Sequence, residues 1–354
     1  MKLISIIIPV YNTRVTDLQE AINSIEKQTY TNFEVLLVDD GSNDECAHYL
    51  DTLCEKDERI RCIHRKNHGV SASRNFGTLN AQGDYVVYMD ADDLLTPWCL
   101  EDGIDIIEKT HSDIVIGRII NTNSREEYDK LKSEKKSFRI VADSKDREEL
   151  IVNLFTKQQP RWLLGESTSN VILNCEGCWS HIVRKQVAID NIFREDLKIG
   201  EDTVWGLQLL ENEEYTICVT DSLWYMYIQN PYSVMNQYKE DIVEVLTQSV
   251  NCVLALESSL SDVEYDAFVG WVITKLKQIT HRAYLHDKCQ LTWKEKKRGI
   301  KSCTSSSPWI KIINSKRTMS NRNKMVLALH RYNLMIYIFA VKKYLRNKEA
   351  KAKQ

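Results

Sequence analysis

No apolar run in this sequence is long enough to cross a bilayer. The longest near the C-terminus, Leu334 to Val341, has eight residues, against about 20 for a spanning helix. The apolar stretch Leu3–Val10 contains Pro9 and leads into Tyr-Asn-Thr-Arg with no small-residue cleavage site. It is expected to be a buried strand, not a signal peptide. A disulfide or zinc framework is also missing. Ten cysteines are scattered, most of them in apolar periodic segments, and Cys175-x-x-Cys178 has no second CxxC or paired His beside it. That distribution predicts reduced thiols in a cytosolic protein. Internal repeats and low-complexity linkers are absent too.

Net charge is nearly lacking, at −3 for 354 residues, but the zero is a sum of two unlike parts. From Lys294 to Gln354 there are 17 Lys and Arg against Glu295 and Glu349 alone, a charge of +15. The first 293 residues keep 30 basic and 48 acidic side chains, a charge of −18. Such a split predicts an anionic partner for the tail: a membrane surface, a nucleic acid, or the acidic body itself.

The composition, 43% hydrophobic and 27% charged, is that of a globular chain and excludes a disordered one. Strands are expected at Leu3–Ile8, Phe33–Val38, Ile60–Ile63, Tyr85–Met89 and Ile114–Ile116, with helices between them. Thr96-Pro97 is expected to cap and open the helix that carries Leu100, Ile104 and Ile107. Alternating strands and helices imply an α/β fold with a mostly parallel sheet. Asn121–Glu149 reads as a charged excursion, Leu150–Leu164 and Val204–Leu210 as helices, and Tyr215–Val219 with Trp224–Ile228 as a late strand pair. From Glu240 onward the period is helical. The reading divides the chain into 1–235 and a helical C-terminal region, 236–354.

Four constellations carry chemistry. Asp90-Ala91-Asp92 follows a strand, and its two carboxylates can share a divalent cation whose shell a nucleotide diphosphate completes. Asp39-Asp40-Gly41-Ser42 follows another strand. It can accept hydrogen bonds from a base or ribose, or form an Asx turn. Arg74, on the first turn of a helix near the strand ends, can reach phosphate or make an ion pair. Gly200-Glu201-Asp202 precedes an apolar helix and offers either a cap or a general base. Carboxylates at strand ends lie where ligands bind in parallel sheets.

Ser5-Ile-Ile-Ile-Pro-Val-Tyr-Asn12, Gln28-Thr-Tyr-Thr-Asn-Phe-Glu34, Val38-Asp-Asp-Gly-Ser42, Asn67-His-Gly-Val-Ser71, Arg74-Asn75, Gly83-Asp-Tyr85 and Met89-Asp-Ala-Asp-Asp93 together resemble the family-2 glycosyltransferases. The resemblance is continuous over about residues 3–118 and looser, around Trp179 and Gly200-Glu201-Asp202, to about 235. It implies a GT-A nucleotide-sugar-binding domain and inverting transfer from a UDP-sugar to an acceptor hydroxyl. By the same resemblance, Pro9 and Tyr11 border the base and ribose, Asp40 binds uracil with Asp39 beside it, and Asp90 faces the ribose. Asp92 holds Mn²⁺ or Mg²⁺ on the diphosphate, with Asp90 as a second carboxylate and Asp93 in support. Asp202 matches the base position, with Glu201 as the alternative, and Trp179 lines the sugar pocket. Where relatives often carry Trp-x-Lys, this chain has Trp179-Ser180-His181.

In the tail, Ile310, Ile312-Ile313, Met325-Val326-Leu327, Leu329 and Leu334–Val341 interleave with Lys and Arg, the composition of an interfacial amphipathic segment. This predicts a cytoplasmic protein peripheral at the inner face of the membrane, where a lipid-linked saccharide acceptor for cell-surface glycan synthesis is presented. Two other function classes compete. A nucleotidyltransferase usually opens with a Gly-rich phosphate loop, and residues 9–16 contain no glycine. A nucleic-acid-binding protein is disfavoured by the −18 body and the lack of a basic-aromatic platform.

Overall fold

The structure, a computed structural model, describes residues 1–133, 137–163, 171–229, 241–332 and 334–352, with side chains to 343. The chain divides into two compact units, Met1–Asn230 and Pro231–Gln354. The boundary near 235 read from the sequence lies outside the described residues.

The first unit is built on one mixed sheet. Strand β1 (Ile4–Val10) is almost entirely buried and pairs in parallel with β2 (Phe33–Asp39) and β4 (Tyr85–Tyr88). Strand β2 pairs in parallel with β3 (Ile60–His64). Strands covered on both faces need near-continuous apolar residues rather than alternate ones, and Ile-Ser-Ile-Ile-Ile-Pro-Val supplies them at every position but Ser5, whose buried hydroxyl donates to Glu34. Helices α1 (Val15–Glu26), α2 (Asp44–Lys56) and α3 (Val70–Asn80) form the crossovers. On α1, Leu18, Ala21, Ile22 and Ile25 turn one face into the core.

The rest of the sheet departs from the expected pattern. Beyond β4 the order runs β9 (His181–Arg184), β6 (Ile114–Thr122), β10 (Ile217–Ile228) and β5 (Leu94–Leu95). β9 is antiparallel to both β4 and β6. β7 (Phe138–Ile140) and β8 (Val171–Leu173) add antiparallel edges. β1, β2, β3, β4, β6 and β10 all run the same way, so most of the ten strands are parallel. The expected late strand pair is a single strand, β10, whose register against β6 shifts twice between Val219 and Tyr225.

Two local expectations also change. The helix α4 (Cys99–Thr110) starts two residues beyond Pro97, because the Thr96 hydroxyl donates to the Leu223 carbonyl at 2.8 Å instead of capping it. The helix expected over 150–164 is α5 (Ser144–Thr156), capped by Asp143 and ended by Lys157 in the left-handed region at φ 60°. α6 (Lys185–Asp190) and α7 (Glu201–Glu211) complete this unit's α-helices among the described residues, and Arg125–Lys130 forms a 3-10 helix.

In the sheet, β1 lies between β2 and β4, so the chain order reverses there. Such a switch point opens a crevice at the carboxyl ends of the strands. The segments that leave β1, β2 and β4 are Tyr11-Asn12, Asp40–Asn43 and Asp90–Asp93, which is how the sheet gathers the conspicuous motifs.

The second unit is helical: α8 (Ile242–Leu254), α9 (Asp262–Ile279), α10 (Trp293–Thr304), α11 (Trp309–Ile313), α12 (Asn321–Arg331) and α13 (Met335–Ala352). Capping boxes at Ser261/Glu264 and Thr292/Glu295 start α9 and α10. Much of the apolar content of the basic tail is core here. Ile312, Ile313 and Leu327 are buried, and Met335, Ile336 and Phe339 pack with Leu285 and Ile300. The tail is therefore not one continuous interfacial segment. No helix among the described residues is long and apolar enough to cross a membrane.

Candidate functional site

The loop after β2 is held by its own carboxylates. Asp39 is buried; one oxygen accepts the Ser42 N–H at 2.9 Å and the other meets His64 Nδ1 at 2.7 Å. Burial opposes the charge on Asp39, but Ser42 and His64 outweigh it and hold its pKa below the usual range. His64 Nε2 in turn lies 3.1 Å from Asp51, and the two carboxylates, Asp39 first, raise the imidazole pKa. Asp40 spends an oxygen each on the backbone N–H groups of His68 (2.9 Å) and Gly69 (2.7 Å). A carboxylate oxygen has two acceptor positions, so each retains one. Gly41 sits at φ 81°, and a Cβ there would stand 3.0 Å from the Asn67 nitrogen; only glycine makes this turn without strain.

Pro9 lies on β1 opposite Val38. Tyr11 is 56% exposed. Asn12, also left-handed at φ 50°, ties the two loops together: its N–H donates to Ser42 Oγ and its side-chain oxygen accepts the Asn43 N–H.

The carboxylates after β4 meet three environments. Asp90 pairs with Arg74 Nη2 at 2.9 Å, and Ala91 beside it is buried. Asp92 is pushed up to about 6 by burial first and by the Asp90 charge second. Asp93 is buried; it accepts the Tyr225 hydroxyl at 2.7 Å and the Ile228 N–H at 2.8 Å. Burial and the Asp90 and Asp92 charges raise its pKa well above the carboxylate range. The Tyr225 hydroxyl also accepts the Asp90 N–H at 3.2 Å, so β10 props the loop from beneath.

Arg74 joins this loop to the start of α7. Its guanidinium is buried, with Nη1 3.1 Å from Glu201 and Nη2 on Asp90. Burial works against that charge. The carboxylates of Asp90, Glu201 and Asp202 oppose that cost, and the pKa stays well above the ordinary value. Gly200, at φ 84°, turns the chain into α7, so Glu201 and Asp202 fall on its first turn. Asp202 accepts the Thr203 N–H at 2.7 Å. The structure thus brings Arg74, Asp90, Glu201 and Asp202 together from three elements.

Trp179 stacks on Tyr225 (6.0 Å between centroids) and tilts over Tyr227 (5.5 Å). Tyr227 is pushed up to about 12, by burial and then by Asp93, Asp90, Asp92 and Asp202, so it shares their field. His181 stands apart. It is a buried core residue on β9, edge-on to Trp205 at 5.7 Å, and burial pushes it down to about 3. A neutral, enclosed imidazole makes no phosphate contact, and the Trp-x-His variation belongs to the core. Cys175 and Cys178 are free and buried, with thiol pKa values raised by burial.

Sequence reasoning missed Arg125, His64, Tyr225 and Tyr227. Arg125 donates to the Asp92 carbonyl at 2.9 Å and pairs with Asp17 and Glu20 on α1. It lies in the segment read as a charged excursion, where one arginine carries no signal.

Among the described residues no three His, Cys, Asp or Glu side chains cluster to hold a metal. The donor set fits a hard ion of a particular kind. Mg²⁺ and Mn²⁺ accept one or two carboxylates with phosphate and water completing the shell. Asp92, carrying its charge at a cost, is such a donor; Asp90 has one oxygen committed to Arg74.

A stability test follows from the raised pKa of Asp92. In the metal-free protein the folded chain keeps this proton up to about pH 6 while the unfolded chain loses it near pH 4, so between them stability falls as pH rises. Asp92→Asn is therefore expected to stabilise the apoprotein at neutral pH by at most about 3 kcal/mol. The gain should shrink toward pH 4 in urea titrations. A variant less stable than wild type at pH 7.5 would contradict the assignment.

An α/β sheet with carboxylates at its switch point has them where open α/β sheets bind ligands. Residues 5–166 match the family model for Glycosyl transferase family 2. Glycosyltransferase GlyG of Streptococcus pneumoniae is 30% identical over 261 residues, 72% of this chain and 82% of that protein. An uncharacterised glycosyltransferase of Rickettsia felis is 50% identical over 91 residues, 26% of this chain. The match spans 15% of the length of that protein and of a Rickettsia conorii relative. In fold, the chain resembles S. aureus TarS 1–349, solved in complex with UDP-GlcNAc (TM-score 0.63, 20% identity, 98% of this chain and 92% of that one). The chain belongs to the family-2 glycosyltransferases and has their GT-A fold.

Proposed function

We propose that the chain transfers a hexosyl or N-acetylhexosaminyl group from a UDP-sugar to an acceptor hydroxyl, with inversion. The observation that supports this most directly is the cluster around Arg74, where Asp90 and the Glu201-Asp202 turn converge. TarS, which shares the fold, has been crystallised with UDP and with UDP-GlcNAc.

In this reading Asp40 takes the uracil beside Pro9 and Tyr11, with Asp39 next to it, and Asp90 faces the ribose. Asp92 would hold Mn²⁺ or Mg²⁺ against the diphosphate. The ion, when bound, neutralises charge that develops on the leaving diphosphate. Trp179, with Tyr227, walls the sugar. Asp202 accepts the proton as the acceptor oxygen bonds to C1 and the C1–O bond to the diphosphate breaks. A hydroxyl is too weak a nucleophile at neutral pH without such a base. Glu201 is committed to Arg74, which favours Asp202 for the proton. The acceptor in this proposal is a lipid-linked saccharide in cell-surface glycan synthesis. The +15 segment 294–354 would hold the protein at the inner face of the membrane.

Thermal unfolding with a panel of nucleotide-sugars and Mn²⁺ tests the donor site. Saturation at a hundred times Kd adds about 2.7 kcal/mol, a readily measured shift. UDP-sugars are expected to give it, and Asp92→Ala to remove its Mn²⁺-dependent part. If no nucleotide-sugar stabilises the chain, the reading fails.

A further inference from the structure

Helix α13 is apolar on more than one side. Met335, Ile336 and Phe339 enter the core of the helical unit. Leu334, Tyr337 and Val341, spaced three and four apart, form a second line that stays 43–57% exposed. A helix that is hydrophobic around its girth needs a second apolar partner. Trp293, at the start of α10 and 40% exposed, meets Tyr337 edge-on at 5.6 Å. The Lys297 ammonium lies 5.7 Å from the Tyr337 ring centroid. Lys294 and Arg298 on α10 and Lys342 on α13 are exposed around these residues in sequence. The acidic side chain of α10's first turn, Glu295, is spent on the Thr292 cap.

Resting on the membrane reading above and narrowing it, we propose that Trp293, Tyr337, Leu334 and Val341 are the element that inserts into an anionic bilayer surface. The chemistry matches each layer of that surface. Tryptophan and tyrosine favour the headgroup boundary, the aliphatic residues reach the acyl region below it, and exposed Lys and Arg meet anionic headgroups. The charge of the segment, +15 from Lys294 onward, matches a lipid surface better than another copy of the same basic patch.

Co-sedimentation of the full chain with phosphatidylcholine vesicles, with and without phosphatidylglycerol, is the test. Wild type is expected to bind the anionic vesicles and not the neutral ones. Trp293→Ser with Tyr337→Ser should weaken binding about tenfold or more, and Trp293→Phe with Tyr337→Phe should retain it. Brominated lipid should quench a tryptophan signal that Trp293→Phe removes. An unchanged melting temperature shows that the exposed substitutions leave the fold intact. Equal binding by the serine variant overturns the anchor and leaves attachment by charge alone. No binding by wild type overturns the anchor and the membrane reading together. A dimer in gel filtration that the serine variant dissolves assigns the patch to a second copy and also overturns the anchor.

Discussion

Asp202→Asn is expected to lower kcat by about 10²–10⁴-fold, the range for loss of a positioned general base, with the donor KM nearly unchanged. The neighbouring substitution gives the contrast. Glu201→Gln removes one partner of a buried arginine 3.1 Å away, so its main effect should fall on stability and on the placement of Asp90, with a smaller loss in kcat. Steady-state kinetics with a saturating acceptor, beside urea unfolding, separates the two. If Glu201→Gln loses turnover like Asp202→Asn while stability holds, the proton goes to Glu201 instead.

The second large effect is expected at Arg74. Arg74 is 3% exposed, and its guanidinium pairs with Asp90 and Glu201 at once. Removing one partner of a buried pair strands the other charge and typically costs about 3–5 kcal/mol. Arg74→Met should cost about that in urea unfolding at pH 7.5. Because carboxylates are left behind, the deficit should shrink as the pH falls and they protonate. Arg74→Met with Glu201→Gln strands one carboxylate fewer and should recover part of the loss. A deficit below about 1 kcal/mol, the value of an exposed pair, would mean that Arg74 does not bind the two loops together.

The parts of the molecule legible in the sequence are those whose physics is local. β1, β2 and β4 are buried on both faces, so their β-branched runs announce them. The Asp clusters follow directly and fall at strand ends. Long-range structure left no such mark. β9 is four residues long, and nothing in His181–Arg184 signals a place between β4 and β6. Thr96-Pro97 has the form of a helix start, but a carbonyl 127 residues away takes the hydroxyl. Arg74 was open to phosphate or an ion pair, and its partner Glu201 is also 127 positions distant. By composition alone the tail's apolar residues form one interfacial population. Only the contacts of the folded unit separate Met335, Ile336 and Phe339 from Tyr337 and Val341.

The Tyr225–Asp93 hydrogen bond has a consequence for biosynthesis. The two residues are 132 positions apart, and a chain emerges from the ribosome in order. β1 to β4 can pair as soon as about residue 90 is free, but the acidic loop then has no hydroxyl beneath Asp93 and no β9 beside β4. A nascent chain paused before His181 carries β3, β2, β1 and β4 without the strand that pairs beside β4. The support beneath the acidic loop therefore arrives late in translation, with β10, and not when the carboxylates themselves appear.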